Sequence, residues 1–290
     1  MVKTAQFEEK TYEKYFGHEL SGRFSNSFSP GQRAEFSMGF DEAFDLPWWI
    51  FFYHFRYLMK SPWGALGGIG LQDLDHIAEE VSKDLPPYRF NFFVQYKRPD
   101  YVEGHRGGEW PSWQQPYFRY AITAHQQLAL EKLHSASSGR AAVIYASPAF
   151  WTSDKLFETA AKKQVIKKSN IAKADALTGH GRYSYVAEGG VGVAHSEPEE
   201  IRGPTFEKLI ELAMDQPKIP FRDHVLKAAD AIERSLDEDR SRATFEKAKK
   251  VVISDLVAEN IDIPSGGIVS AILTIEAFCD AFAVEFYAVG

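Results

Sequence analysis

Two polar residues close an apolar, strand-like run in this chain. In "NFFVQYKRPDY" (91–101), Gln95 and Lys97 follow Phe92, Phe93 and Val94. Residues i and i+2 of a strand project to one face, so Gln95 and Lys97 point together while Tyr96 turns away. A lysine beside a carboxylate-bound metal can orient a water and offset the negative charge that builds on a phosphate. The glutamine offers a carbonyl oxygen to the same place. Asp41, in "AEFSMGFDEAFDLP" (34–47), lies on the polar side of an alternating segment and would supply the hard oxygen that Mg²⁺ prefers.

The elements that must position these residues follow from hydrophobic periodicity. Residues 7–20 carry apolar side chains at 12, 15, 16 and 20, a helical spacing. A Ser/Gly/Pro-rich loop leads to the 34–47 strand, with Phe36, Met38, Phe40 and Phe44 on one face. Residues 48–59 fit a strand or a short buried helix. The glycine-rich loop at 62–70 lacks the GK[ST] of a phosphate-binding loop. An amphipathic helix over 71–85 is stopped by Pro86-Pro87, and the strand "RFNFFVQYK" follows. The spacing then predicts a long helix over 117–136, an apolar strand over 140–150, a helix over roughly 152–168 and a hairpin turning at Gly189-Gly190. From 204 the pattern reads as helix to the end, broken near "DIPSGG". These readings predict a mixed α/β domain over 1–203, with an insertion at 48–85, and a helical subdomain over 204–290.

A helix bearing a glutamate, a "GFD" strand, an apolar strand ending in "QYK", then a helix and a short apolar strand resembles the PD-(D/E)XK nuclease superfamily. The glutamine before the lysine is similar to Mrr-like restriction enzymes and nuclease domains of bacterial antiphage proteins. The resemblance covers roughly residues 7–150. It implies a restriction-endonuclease-like mixed central sheet flanked by helices, with a helical C-terminal extension. It also implies a Mg²⁺ (or Mn²⁺) ion held by Asp41, Gln95 and Glu13, with Lys97 as the catalytic lysine and Gln126 or Gln127 in support. Asp45, Asp73 and Asp75 are rivals to Asp41, and Glu9 and Glu19 to Glu13. The implied activity is hydrolysis of double-stranded DNA in restriction or antiphage defence, by a homo-oligomer, with a defence-system protein as a possible partner. The alternative is an inactive nuclease fold serving as a sensor or scaffold, and an RNA-directed enzyme would share the same site.

Composition bounds these readings. The chain has 290 residues, 44% hydrophobic and 25% charged, as globular proteins have. Its net charge of −7 disfavours non-specific coating of nucleic acid, which Lys and Arg carry, without excluding a nuclease. Six lysines against Glu158 over 155–173, among them Lys162, Lys163, Lys167 and Lys168, are candidate phosphate contacts, with Arg106 and Gln127. The loop "GGEWPSWQQPYF" could stack on bases or simply pack as a lid. Zinc binding by His180, His195 and Glu197 lacks a supporting spacing, and no G-x-S-x-G accompanies Ser196. The single cysteine, Cys279, excludes an internal disulfide framework and reads as a buried thiol. The N-terminus has no apolar signal-like core, and "LPWWIFFYHFRYLM" is too short and too polar to span a bilayer. A cytoplasmic protein without membrane association is the expectation.

Overall fold

The computed structural model describes residues 1–30, 71–237, 239–256 and 266–290. The segment expected as the Asp41 strand, with Asp45 and the aromatic run after it, lies outside the described residues. The chain is mixed α/β, built on two sheets. The five-stranded sheet runs β2 (Ser27–Phe28), β11 (Glu285–Val289), β3 (Phe90–Tyr96), β6 (Ala141–Pro148), β7 (Ser169–Lys173). In it β3 and β6 are parallel and the other neighbours antiparallel. All residues of β3 and β6 are buried, as their nearly unbroken apolar runs require of strands covered on both faces.

Alternation along β3 sorts its side chains to two cores. Phe92, Val94 and Tyr96 pack against α1 (Glu9–Ser21) and α6 (Phe206–Met214) through Tyr12, Phe16 and Phe206. Phe16 meets Tyr96 edge-on at 5.3 Å, and Phe206 stacks on Phe92 at 5.1 Å. Phe93 faces the other core, where α4 (Ala124–Ala136), α7 (Phe221–Ser235) and α9 (Ile268–Phe282) contribute Leu130, Val225, Ile275 and Phe278. Asp75 of α2 (Leu71–Ser82) caps α9, accepting from Val269 N at 3.1 Å. The carboxylate packs against Gly267, where a Cβ would displace it.

The second sheet is antiparallel, in the order β1 (Val2–Thr4), β4 (Asp100–Val102), β5 (Tyr117–Ala121), β8 (Arg182–Tyr185), β9 (Val191–His195), β10 (Glu199–Arg202). Its inner face brings Phe118, Tyr120, Tyr183 and Tyr185 to the core beside β6, with Tyr120 stacked on Tyr145 at 5.9 Å. Across its outer face runs the 103–116 segment, with the short helix α3 (Trp110–Trp113).

Three expectations are corrected. The helix over 117–136 begins only at Ala124, because "YFRYA" alternates inward rings with outward Arg119 and forms β5. The helix over 152–168 ends at Ala161 as α5 (Ser153–Ala161), and the buried strand β7 follows at Ser169. The C-terminal stretch is not helical to its end: after α8 (Asp239–Leu256) and α9 comes β11, which pairs with β3 at Glu285↔Val94 through Val289↔Phe90. Residues 204–290 thus supply a central strand of the main sheet.

Candidate functional site at the end of β3

Gln95 and Lys97 lie where the parallel pair β3–β6 ends. Gln95 sits opposite Tyr145, and Lys97 N donates to the Ala146 carbonyl at 2.9 Å. Ser147 Oγ donates to the Lys97 carbonyl at 3.0 Å and accepts from Tyr185 Oη at 2.7 Å, which locks the backbone at the lysine. The two side chains share a face, as their spacing predicts: Gln95 reaches α4 and α9, and Lys97 Nζ lies 5.6 Å from the Tyr145 ring centroid, within cation–π range.

Gln95 is 2% exposed. Its amide donates to Gln126 Oε1 at 3.0 Å and to the Phe282 carbonyl at 3.5 Å. Its own Oε1 is buried without a hydrogen-bond partner. A buried carbonyl oxygen left so costs free energy, so this atom is poised to accept. Burial holds the Lys97 ammonium below its ordinary pKa, opposed by the Glu9 carboxylate. The first turn of α1 is tied to this strand end, since Glu9 accepts from Arg98 N at 3.1 Å.

Glu13 belongs to the opposite face. It bonds to Lys10 Nζ at 2.7 Å, and Lys10 also reaches Glu285 of β11 at 3.1 Å. Burial first, and then the Glu285 carboxylate, raise Glu13 to about 8 against the pull of Lys10. Its rival Glu19 is spent on Arg23 and on Ile166 N. Of the rivals to Asp41, Asp75 is the cap of α9, while Asp45 and the Asp73 side chain lie outside the described residues.

For a divalent ion, then, the orphaned Gln95 oxygen fits as a ligand, and Glu13, across the sheet and bound to Lys10, does not share a site with it. Among the described residues no group of three or more His, Cys, Asp or Glu is arranged to hold a metal. Gln127 is buried and fully engaged: it donates to Glu131 and to the Ala174 carbonyl and accepts from Tyr145 Oη at 2.7 Å, so it sets the ring under Lys97 rather than facing a ligand. Lys162 pairs with Glu158 and Lys168 with Glu188, both at 2.6 Å; Lys163, Lys167 and Arg106 are exposed.

A second polar cluster holds the 103–116 segment down. Glu109, 3% exposed, accepts from Arg182 at 2.5 Å, Tyr117 at 2.7 Å and Arg119 at 3.0 Å. Burial works against its charge, but these donors outweigh burial and lower Glu109 to about 2. Trp113 Nε1 donates to Ser184 Oγ at 2.8 Å, and Ser184 is hydrogen-bonded to His195 Nε2 at 2.7 Å. His180 pairs instead with Glu199 at 3.5 Å, so the two histidines take different partners. Sequence reading misses Glu109 entirely. Its only local sign is the alternation that puts Tyr117 and Arg119 on one face of β5.

Comparison with family models, with curated proteins and with solved structures finds no match to this chain. No helix among the described residues is long and apolar enough to cross a membrane.

Proposed function

We propose that the chain is a metal-dependent endonuclease that hydrolyses DNA phosphodiester bonds at the end of β3. One observation carries this reading: Gln95 and Lys97 converge on one face of the same strand end, and the buried oxygen of Gln95 is uncommitted. The order of elements supports it too, because the QxK strand is followed by α4 and by the apolar strand β6 parallel to it.

Gln95 would hold Mg²⁺ or Mn²⁺ together with Asp41, whose segment lies outside the described residues. Such an ion, when bound, polarises the phosphate and lowers the pKa of a coordinated water. Lys97 supplies the protein's own positive charge. Half-buried over Tyr145, it acts where water screens weakly, so it stabilises the charge that grows on the phosphate more than an exposed lysine would. Tyr145, braced by Gln127, fixes the path of the lysine stem, and Gln126 Oε1, by accepting from the Gln95 amide, leaves the Gln95 oxygen free to accept. The substrate in this reading is double-stranded DNA, with Lys163, Lys167 and Arg106 as outer phosphate contacts. Cutting both strands calls for two copies of the site, hence a homo-oligomer, and the setting is restriction or antiphage defence with a possible partner protein. A cytoplasmic location accords with that setting.

The competing reading is a nuclease-like scaffold without activity. It is favoured by the stacking of Lys97 on Tyr145 and the binding of the Gln95 amide to α4 and α9, both of which also serve packing. Plasmid DNA incubated with the protein and Mg²⁺ or Mn²⁺, with and without chelator, separates the two. The nuclease reading expects metal-dependent nicking that Lys97→Ala abolishes. Intact plasmid under every metal condition gives the scaffold.

A further inference from the structure

We propose that Glu13 and Glu285 share one proton beside Lys10, forming a pH-operated clasp between the first helix and the last strand. This inference is independent of the nuclease reading. Lys10 Nζ lies 2.7 Å from Glu13 Oε1 and 3.1 Å from Glu285 Oε1, so one ammonium bridges the two carboxyl groups. Their side chains are only 17% and 14% exposed. Two carboxylates against one ammonium leave a surplus negative charge in a poorly solvated place, and one proton makes the cluster neutral.

Two tyrosines and a thiol face the pair from the neighbouring elements. Tyr96 of β3, Tyr287 of β11 and Cys279 of α9 are all driven by burial toward their neutral forms. Asp280 and Glu276 of α9, which act on Cys279 together with Glu285, add negative charge on that side. Glu9, the other acid of the first turn, is turned to Arg98 N. Burial and the neighbouring Glu285 carboxylate favour the protonated form of Glu13, against the pull of Lys10.

Loss of that proton sets two like charges against each other across the α1–β11 contact. Glu285 stands opposite Val94, one residue from Gln95, so the clasp backs the strand pair that carries the candidate site. A folded-state pKa raised above the ordinary carboxyl value favours folding at low pH, and the gain is lost as pH rises through about 8.

Infrared spectra and urea unfolding of the full chain between about pH 4 and pH 9 test this. The wild type should show a protonated-carboxyl band at neutral pH that disappears with a midpoint near 8, and Glu13→Gln should lack it. Its unfolding midpoint should fall as pH rises from the ordinary carboxyl range to about 8 and level off above that, and Glu285→Gln should diminish that fall. Absence of the band from the wild type, or an undiminished fall in Glu285→Gln, overturns the proposal. Should Glu285→Gln not fold, the band in wild type against Glu13→Gln decides alone.

Discussion

The two faces of the sheet at the end of β3 solve opposite problems with similar residues. On one face, Lys97 lies over an aromatic ring, and Gln95 keeps a buried oxygen without a partner. On the other face, Lys10, Glu13 and Glu285 close upon one another, and one proton neutralises what remains. A lysine stands on each face: Lys97 is half-buried against a ring, and Lys10 is exposed and bridges two carboxyl groups. Buried polarity signals a site where it is unsatisfied and a clasp where it is complete.

The sharpest way to break this comparison is at the two lysines. Lys97→Met keeps the apolar stem over Tyr145, and it should reduce plasmid cleavage by on the order of 10²–10³-fold with little change in unfolding midpoint. Lys10→Met should leave cleavage near wild type at neutral pH and move the carboxyl titration still higher, because it removes the cation that opposes protonation. If the two variants exchange these outcomes, the faces have been assigned the wrong way round. A smaller effect is expected of Gln95→Ala, which strips Gln126 Oε1 and the Phe282 carbonyl of their donor at a cost of about 1–3 kcal/mol in chemical denaturation. Smaller again, Tyr145→Phe loses the bond to Gln127, about 0.5–1.5 kcal/mol, while keeping the ring beneath Lys97 and so the cleavage rate.

The pH profile sharpens the contrast further. Glu109 is lowered to about 2, so its contribution is present above the ordinary carboxyl range and is lost as pH falls toward about 2. Glu13 is raised to about 8, and its contribution is lost in the other direction, as pH rises through about 8. Stability should therefore decline at both ends. Glu109→Gln should flatten only the fall below the ordinary carboxyl range, and Glu285→Gln should make shallower only the fall between that range and about pH 8, read from unfolding midpoints across pH.

Much of the local structure was legible from the chain. The β3 run, the apolar β6, the amphipathic helix stopped at Pro86 and the shared face of Gln95 and Lys97 all follow from period and spacing. The errors have a common cause. "YFRYA" and "EFYAV" are short strands beside helix-forming residues, so a helical window absorbs them, and "SNIAK" carries no element of its own; only pairing with distant partners makes all three strands. The site was half legible for the same reason. Gln95 and Lys97 are two residues apart and need only the strand, whereas Glu13 meets Glu285 across 272 positions (285 minus 13), and Glu109 meets Arg182 across 73. No local pattern announces either meeting.

Crystals of the protein soaked with Mn²⁺ test most directly whether the end of β3 is an ion site. Anomalous density is expected in coordination with Gln95 Oε1, on the Lys97 face and with an Asp41 oxygen beside it, and it should vanish in Gln95→Ala. Density lying instead among Lys10, Glu13 and Glu285, or no density at Gln95 at saturating Mn²⁺, would contradict the assignment of the two faces.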